Sequence, residues 1–212
     1  MNVRQMAALC VLGTCLCWVT GCAGAMAQQA NPSDRKVEKE FDLMGKTVVV
    51  IPFREERRTY FESQDGADLA QLVGAQLERR VTGVRVVSAD PIRKNYDPQT
   101  LENVEPTKLG ATAGAQMVMV GNLRQFTLQD PGVIGMLHGT CIVDLTLFDA
   151  KTGKPAWSKR MTINYPDYGP GVPEPDTSRS SMREMLLAKT ADAIAKQFYM
   201  HLEPNRRPPM QF

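Results

Sequence analysis

The segment from residue 140 to residue 148 alternates apolar and polar side chains more regularly than any other part of the chain. One face carries Cys141, Val143, Leu145 and Leu147, and the other carries Thr140, Ile142, Asp144, Thr146 and Phe148. A period of two is typical of a β-strand with one face against a core. A single strand cannot bury that face alone, so the chain must build a sheet around it.

Two neighbouring segments are predicted to pair with this strand. Residues 149–154 form a tight hairpin turn in which Gly153 supplies a positive φ, so residues 156–165 return as the next strand. On the other side, the apolar run 116–128 is predicted as a strand that reaches residue 140 through the turn-rich loop 129–139. The second half of the chain therefore predicts three strands joined as hairpins.

In the first half, strands are predicted to alternate with helices. The β-branched run 47–53 is typical of a strand covered on both faces. Apolar residues at helical spacing follow, with Ser63 or Asp65 as the N-cap and Gly83 at the end of the helix. Residues 84–87 give a second short strand, and a loop leads on from it.

Two more helices complete the pattern. Pro106 opens a small-residue helix that Gly114 ends. Residues 178–181 can cap a final helix that ends at Pro204, with a buried stripe of Leu187, Ala191, Ile194 and Phe198. The predicted fold class is α/β (α+β), in the order β-α-β-α-β-β-β-α. It comprises a mixed sheet of about five strands with about three packed helices.

The N-terminal residues are typical of a secretory leader. A single positive charge at Arg4 precedes an apolar run from Met6 to Val19, which is shorter than the ~20 residues that a membrane-spanning helix needs. The run ends in Val19-Thr20-Gly21-Cys22, which resembles a lipobox, the cleavage and acylation signal of bacterial lipoproteins. The resemblance implies that residues 1–21 are removed by cleavage between Gly21 and Cys22.

Acylation of Cys22 is implied by the same resemblance. The thiol would carry a diacylglyceryl group and the freed amine usually a further fatty acid such as palmitate, and two or more chains hold a protein stably on a membrane. Ala23 stands where an aspartate would favour the inner membrane in the family rule, so we expect the periplasmic face of the outer membrane. An ordinary leader cut after Ala25 or Ala27 is the alternative.

Composition agrees with one domain behind this anchor. We expect an acylated cysteine and a flexible tether over residues 22–45, a single α/β periplasmic domain over 46–203, and a mobile tail over 204–212. Removal of the leader takes away one charge, Arg4, so the formal net charge falls from +2 to +1. Basic and acidic residues are interleaved, which argues against nucleic acid as a partner.

Few residue types that carry chemistry remain in the mature chain. Cys141 is the one thiol left beside Cys22, which excludes an intramolecular disulfide, and we expect it to be buried. His138 and His201 lack cysteines or carboxylates at metal-site spacing, so we expect both to be solvated and predict no metal, cofactor or catalytic residue. Asp65 and Asp68 are interpreted as acids that favour the start of a helix.

Four short apolar motifs occur in an order shared by a loose superfamily; they span residues 48–53, 69–77, 117–121 and 143–153. The chain resembles the periplasmic domain common to the curli-secretion lipoprotein, the lipoprotein activator of penicillin-binding proteins and the N-terminal domain of the Tol translocation protein. The resemblance implies a non-catalytic module that contacts other envelope proteins. The curli protein adds long pore-forming hairpins, whereas the loops of this chain are too short for membrane-crossing strands of ~9 to 11 residues.

The three hairpin strands predict where a partner would bind. Loops 129–139 and 166–177 leave the same end of the sheet, while the turn at 151–154 lies at the other end. Their apolar and aromatic side chains are candidates for a partner-binding surface: Val133, Ile134, Met136, Leu137, Tyr165 and Tyr168. The alternative is that these side chains fold back over the rim of their own core.

The sequence therefore predicts a membrane-anchored envelope lipoprotein. Its domain would be a non-catalytic protein-binding or scaffolding module in cell-envelope assembly or secretion. Two alternatives stay open: a periplasmic hydrolase, whose paired acids would become visible only in the fold, and a homo-oligomeric structural subunit of a secretion or transport assembly.

Overall fold

The computed structural model of the 212-residue chain describes residues 34–56, 64–97, 100–129, 136–167, 172–173 and 178–204. The strands are β1 (Arg35–Val37), β2 (Thr47–Val50), β3 (Arg54–Glu55), β4 (Arg85–Val87), β5 (Met117–Gln129), β6 (Met136–Asp149), β7 (Pro155–Tyr165), β8 (Val172–Pro173) and β9 (His201–Glu203). The helices are α1 (Asp65–Arg80), α2 (Asp90–Asn95), α3 (Pro106–Ala113) and α4 (Arg179–Ala195), with 3₁₀ turns at Leu101–Asn103 and Lys196–Phe198. No helix in the described ranges is long and apolar enough to cross a bilayer.

The main sheet is mixed. Its strands lie in the order β4-β2-β5-β6-β7, with β3 beside β5 and β8 beside β6. β2 runs parallel to β4 and β5, whereas β5, β6 and β7 form the two antiparallel hairpins that the alternating pattern predicted. The predicted α/β class is therefore confirmed, and the order of the main elements roughly matches the prediction.

One face of the sheet carries the larger core. α1 and α4 pack side by side over it, because the apolar stripe of each helix faces the same strands. The buried residues that meet there are Val48, Val50, Leu69, Val73, Leu77, Met119, Cys141, Val143, Leu145, Leu147, Leu187, Ala191 and Ile194.

Within the described ranges, the other face is covered over only part of its width. Here α2 and α3 pack over β2 and β5 around a smaller core of Val49, Ile51, Ile92, Leu109 and Val118. The predicted stop of α3 is confirmed, since Gly114 takes the left-handed conformation with φ of 67°. The loop predicted after residue 87 contains α2, which Pro91 permits because proline fits the first turn of a helix.

Two predicted helix boundaries need correction. The N-cap of α1 is Gln64 rather than Asp65, and Ser63 lies outside the described residues. For α4, the predicted cap is confirmed, because the Ser178 hydroxyl oxygen accepts a hydrogen bond from the Ser181 amide at 3.1 Å. The helix nevertheless ends at Ala195 and not at Pro204, since the chain turns through a 3₁₀ turn into β9.

The folded domain begins earlier than the predicted boundary at residue 46. β1 pairs antiparallel with β9, so residues 35–37 are joined to the C-terminal end of the domain. Leu43 has no exposed surface and belongs to the larger core. At least residues 34–45 therefore belong to the domain and not to a tether. Cys22 and the predicted tail from Asn205 onward lie outside the described residues.

Candidate functional site

The ends of the three long strands agree with the predicted arrangement. β5 ends at Gln129, β6 begins at Met136 and β7 ends at Tyr165, so all three meet at one end of the sheet, while the turn after Asp149 lies at the other. The N-termini of α1 and α4 lie at the same place as these strand ends. We call this part of the molecule the loop end.

An ion-pair bridge joins the two helices at the loop end. Arg183 of α4 donates from Nε to the Asp65 carboxylate at 2.5 Å and from Nη2 to the Asp68 carboxylate at 2.6 Å. Both acids lie in the first turn of α1, as the sequence indicates, and both also form ion pairs with Arg183. No local pattern in the sequence indicates Arg183, because the pair spans more than a hundred residues.

The predicted partner-binding residues differ in position and burial. Val133, Ile134 and Tyr168 lie outside the described residues, and Met136 opens β6, where its backbone pairs with Pro173. Leu137 is 0% exposed, so its assignment to a binding surface is wrong and the alternative of core packing applies to it. In the structure β6 begins at Met136, so residue 137 shares the apolar face with Cys141.

Tyr165 is partly buried. Its ring packs against the larger core, and the Lys189 ammonium group lies 5.5 Å from the ring centroid. The same ammonium group donates to the Asn164 carbonyl at 2.6 Å. This lysine therefore fixes the end of β7 on α4.

The outer half of the second sheet face forms a polar surface, which we call the open face. Its side chains share one side of β5, β6 and β7, as the pairing register shows. The members are Gln125, Thr127, Thr140, Ile142, Asp144, Thr146, Ser158, Arg160, Thr162 and Asn164. The four on β7 are exposed and the rest are partly buried. The open face reaches the loop end directly, because the same strands end there.

A network of charges lies at the centre of the open face. Asp144 accepts hydrogen bonds from Arg160 Nε at 2.6 Å and from Arg124 Nε at 2.5 Å. Arg124 also donates to Glu56 at 2.9 Å, and it can reach both acids because a bulge interrupts the register between Leu123 and Gln125. These ion pairs thus fix the charged side chains in position in the free domain.

The network sets the ionisation of Asp144. The hydrogen bond from Arg160 lowers the pKa of this carboxyl to about 2, with partial burial opposing and Arg124 adding to the shift. A carboxylate with so low a pKa is an acceptor at all ordinary pH values. It cannot serve as a general acid, which needs a pKa near the working pH.

Cys141 lies in the larger core, as its position on the apolar face predicted. The side chain is 0% exposed, and burial raises the pKa of the thiol to about 11. The thiol is therefore protonated at neutral pH and is a poor nucleophile.

The expectation of a solvated His201 is wrong. Only 8% of its side chain is exposed, and its ring lies edge-on to Tyr199 with the centroids 5.5 Å apart. His138 on β6 is partly buried. Within the described ranges, no three histidine, cysteine or carboxylate side chains come together as a metal site.

An open cleft of about 390 Å³ lies near the hairpin turn, between Lys46, Thr107, Gln116 and Lys151. Among its described lining residues, the carboxylate is Asp149, which accepts hydrogen bonds from the backbone amides of Lys151 and Thr152 at 3.0 and 2.8 Å. These bonds lower the pKa of Asp149 and close the turn. Its role is therefore structural.

Comparison with models of protein families and with curated proteins found no match. Among solved structures, the chain is similar to lipoprotein GNA1162 from Neisseria meningitidis, with 18% identity over 71% of this chain and 99% of that one and a TM-score of 0.49. It is also similar to the PelC dodecamer from Paraburkholderia phytofirmans, with 16% identity over 78% and 96% and a TM-score of 0.44. The LpoB C-terminal domain from Salmonella enterica matches with 13% identity over 59% and 87% and a TM-score of 0.38.

Bacterial lipoproteins are thus among the structural neighbours of the chain, as the resemblance predicted. Likenesses of this size concern the arrangement of strands and helices and do not bear on activity.

Proposed function

We propose that this chain is an envelope lipoprotein, anchored through acylated Cys22, whose domain is a non-catalytic module that binds another envelope protein. The observation that supports a binding role is the open face, a polar surface of three strands that carries a preset charge network and leads into the loop end. The lipobox-like motif supports the anchor, and Ala23 supports the periplasmic face of the outer membrane.

The open face suits a protein partner because its polar groups are already in position. Asp144, Arg124 and Arg160 hold one another, and the Thr140 hydroxyl donates to Asn164 Oδ1 at 3.1 Å. A partner would have few of these side chains to order, which lowers the entropic cost of binding. Fixed charges of both signs also favour a partner with the complementary pattern.

The size of the open face indicates that the loop end takes part as well. Three strands about 4.8 Å apart and some 20 Å long present only a few hundred Å². A stable protein–protein interface buries about 800 Å² on each partner. The adjoining loop end would supply the remainder.

The chemistry of the described acids does not favour the hydrolase alternative. Asp144 is held ionised by two guanidinium groups, and Asp65 and Asp68 are both engaged by Arg183. The acid of a carboxylate pair needs an environment that raises its pKa, the opposite of the environment of Asp144.

Site-specific photocross-linking in cells tests the proposal. A photoreactive residue at Thr162, on the open face, should capture a partner, and one at Gln71, exposed on α1, should not. Ser158→Arg, which adds bulk and charge to the open face, should remove the adduct formed at Thr162, whereas Gln71→Arg should leave it.

Equal capture at the two positions, or an adduct that survives Ser158→Arg, would contradict a partner site on the open face. An adduct between two copies of this chain would instead support the homo-oligomeric subunit.

A further inference from the structure

The ribbon formed by β1 and β9 has one inward and one outward side. Tyr199 and His201 lie inward, since their rings contact each other and His201 is nearly covered. Side chains alternate along the extended chain, so Met200 and Leu202 lie outward and are 54% and 51% exposed. Lys36 shares the outward side with Leu202, its partner in the register.

Met44 adds a third apolar side chain to this region. It is 60% exposed, and it lines an open cleft of about 420 Å³ together with Met200, Tyr199, Thr82 and Arg80. Met44, Met200 and Leu202 are the large apolar side chains that stand exposed in the described part of the chain. They gather at one end of the molecule, whereas exposed apolar residues that only reflect chance are scattered singly.

The polar residues around these side chains suit the border between water and lipid. Lys36 pairs with Glu38 at 2.9 Å and Lys39 with Asp42 at 2.6 Å, all on the surface, and Arg80 lies at the rim of the cleft. Lysine and arginine can lay their aliphatic stems along an apolar surface and keep the charge in a headgroup layer.

The ribbon is also where the chain leaves the domain toward its N-terminus. Asp34 follows Cys22 by 12 residues, and a segment of that length spans at most about 40 Å in any conformation. A lipid attached to Cys22 therefore keeps the ribbon within that distance of the bilayer. Contacts that are weak alone become effective when a tether holds the two surfaces together.

We propose that the outward side of the ribbon, with Lys36, Met44, Met200 and Leu202, docks on the phospholipid surface in which Cys22 is anchored. The inference rests on the acylation of Cys22 in the proposed function. Docking points the loop end away from the membrane, because the N-termini of α1 and α4 lie there and their C-termini lie at the cleft.

Lipid-quenched fluorescence of the full-length acylated protein tests this orientation. An environment-sensitive dye is placed on Thr82→Cys, beside Met44, and in a separate protein on Ala67→Cys, exposed at the loop end. Cys22 is acylated and Cys141 is buried, so the new thiol reacts alone. The protein is incorporated into vesicles of phosphatidylethanolamine and phosphatidylglycerol that contain a brominated phospholipid as quencher.

The dye at residue 82 should be quenched at least about twofold more strongly than the dye at residue 67. The double substitution Met44→Ser and Met200→Ser should remove that difference, and Ala75→Ser, on the exposed side of α1, should keep it. Because both methionines are exposed, the double variant should fold normally, which circular dichroism checks.

Three outcomes would overturn the inference. Equal quenching at the two positions in protein that floats with the vesicles would rule out docking and leave the anchor intact. Protein that does not float would remove the anchor and the docking together. A dye at residue 82 that is already shielded without vesicles would show that residues 205–212 or a second copy of the chain cover the site.

Discussion

Two side chains on β6 show how the two faces of one strand give opposite chemistry. Cys141 lies on the apolar face, where burial raises the pKa of its thiol, and Asp144 lies on the open face, where guanidinium groups lower the pKa of its carboxyl. The sequence alternation placed both residues on the correct faces. The shift at Asp144 could not be predicted, because Arg160 and Arg124 reach it through pairing across the sheet.

We expect the native domain to resist thiol reagents. Cys141 is fully buried and its thiol is protonated at neutral pH, so a maleimide should react with it only at the rate of global or local opening. Mass spectrometry of the mature acylated protein, in which Cys141 is the one thiol left free, before and after addition of denaturant, measures this directly. Rapid modification in native buffer would show that the buried face of β6 is accessible.

The charge network on the open face should make stability depend on acid pH. The pKa of Asp144 falls from 3.8 to about 2 on folding. A lowered pKa stabilises the fold above about pH 4, and this contribution is lost as the pH falls from about 4 to about 2. Asp144→Asn should cost about 1 kcal/mol of unfolding free energy at pH 7, since the group is partly exposed. Urea unfolding should show the difference shrinking near pH 2; a constant difference across the pH range would contradict the ion-pair account.

Among the elements, α1 and α4 form a parallel pair that is held differently at its two ends. At the loop end, Arg183 bridges to Asp65 and Asp68, and at the opposite end Arg80 and Tyr199 line one cleft. Between these ends the helices pack through apolar side chains of the larger core.

Removal of the bridge should loosen the helix pair. Arg183→Met should lower the unfolding free energy by about 1–2 kcal/mol, because two partly buried carboxylates lose their common partner. A matched change, Arg93→Met, removes an exposed pair within α2 and should have a clearly smaller effect on the unfolding free energy. Equal effects of the two changes in urea unfolding would show that the bridge stabilises the fold no more than an exposed ion pair does.

The start of α1 depends on a glycine. A Cβ at Gly66 would lie 2.1 Å from the Phe53 carbonyl oxygen, and the Gly66 carbonyl accepts a hydrogen bond from the Phe53 amide at 3.1 Å. Gly66→Ala must therefore move backbone and should destabilise the domain by about 2 kcal/mol or more. Gly74→Ala on the same helix meets only the end of the Val86 side chain at 3.3 Å and should change stability by less than about 1 kcal/mol. Thermal unfolding of the two variants compares them; similar losses would contradict the close approach at Gly66.

Element prediction from the sequence succeeded where a periodic pattern was long. β5, β6, β7, α1, α3 and α4 each carry several apolar residues at regular spacing. The ribbon was missed because β1 and β9 have three residues each and pair across more than 160 positions, without an apolar pattern of their own. Leu43 was missed for the same reason, since a single leucine in a charged stretch has no period.

The candidate site was predictable only in its connectivity. Two consecutive hairpins place loops 129–139 and 166–177 at one end of the sheet irrespective of their side chains, and the strand ends in the structure have that arrangement. The open face depends instead on which strands α2 and α3 leave uncovered, which no local pattern specifies. Leu137 was assigned to the surface because the predicted loop extended past the true start of β6 at Met136.

On the scale of the whole molecule, the N-terminal end of the domain lies at one end, and the open face extends toward the other. The ribbon and the C-termini of α1 and α4 lie where the N-terminal segment arrives, and the loop end lies at their N-termini. A lipid on Cys22 would thus hold one end near the bilayer and leave the open face accessible to a partner. The proposed orientation depends on that anchor.

Incorporation of radiolabelled palmitate in cells tests the anchor most directly. The wild-type chain and Cys141→Ala should both be labelled, whereas Cys22→Ala should carry no label, because the lipobox-like motif places the acyl chains on residue 22. Equal labelling of the wild type and Cys22→Ala would contradict the account.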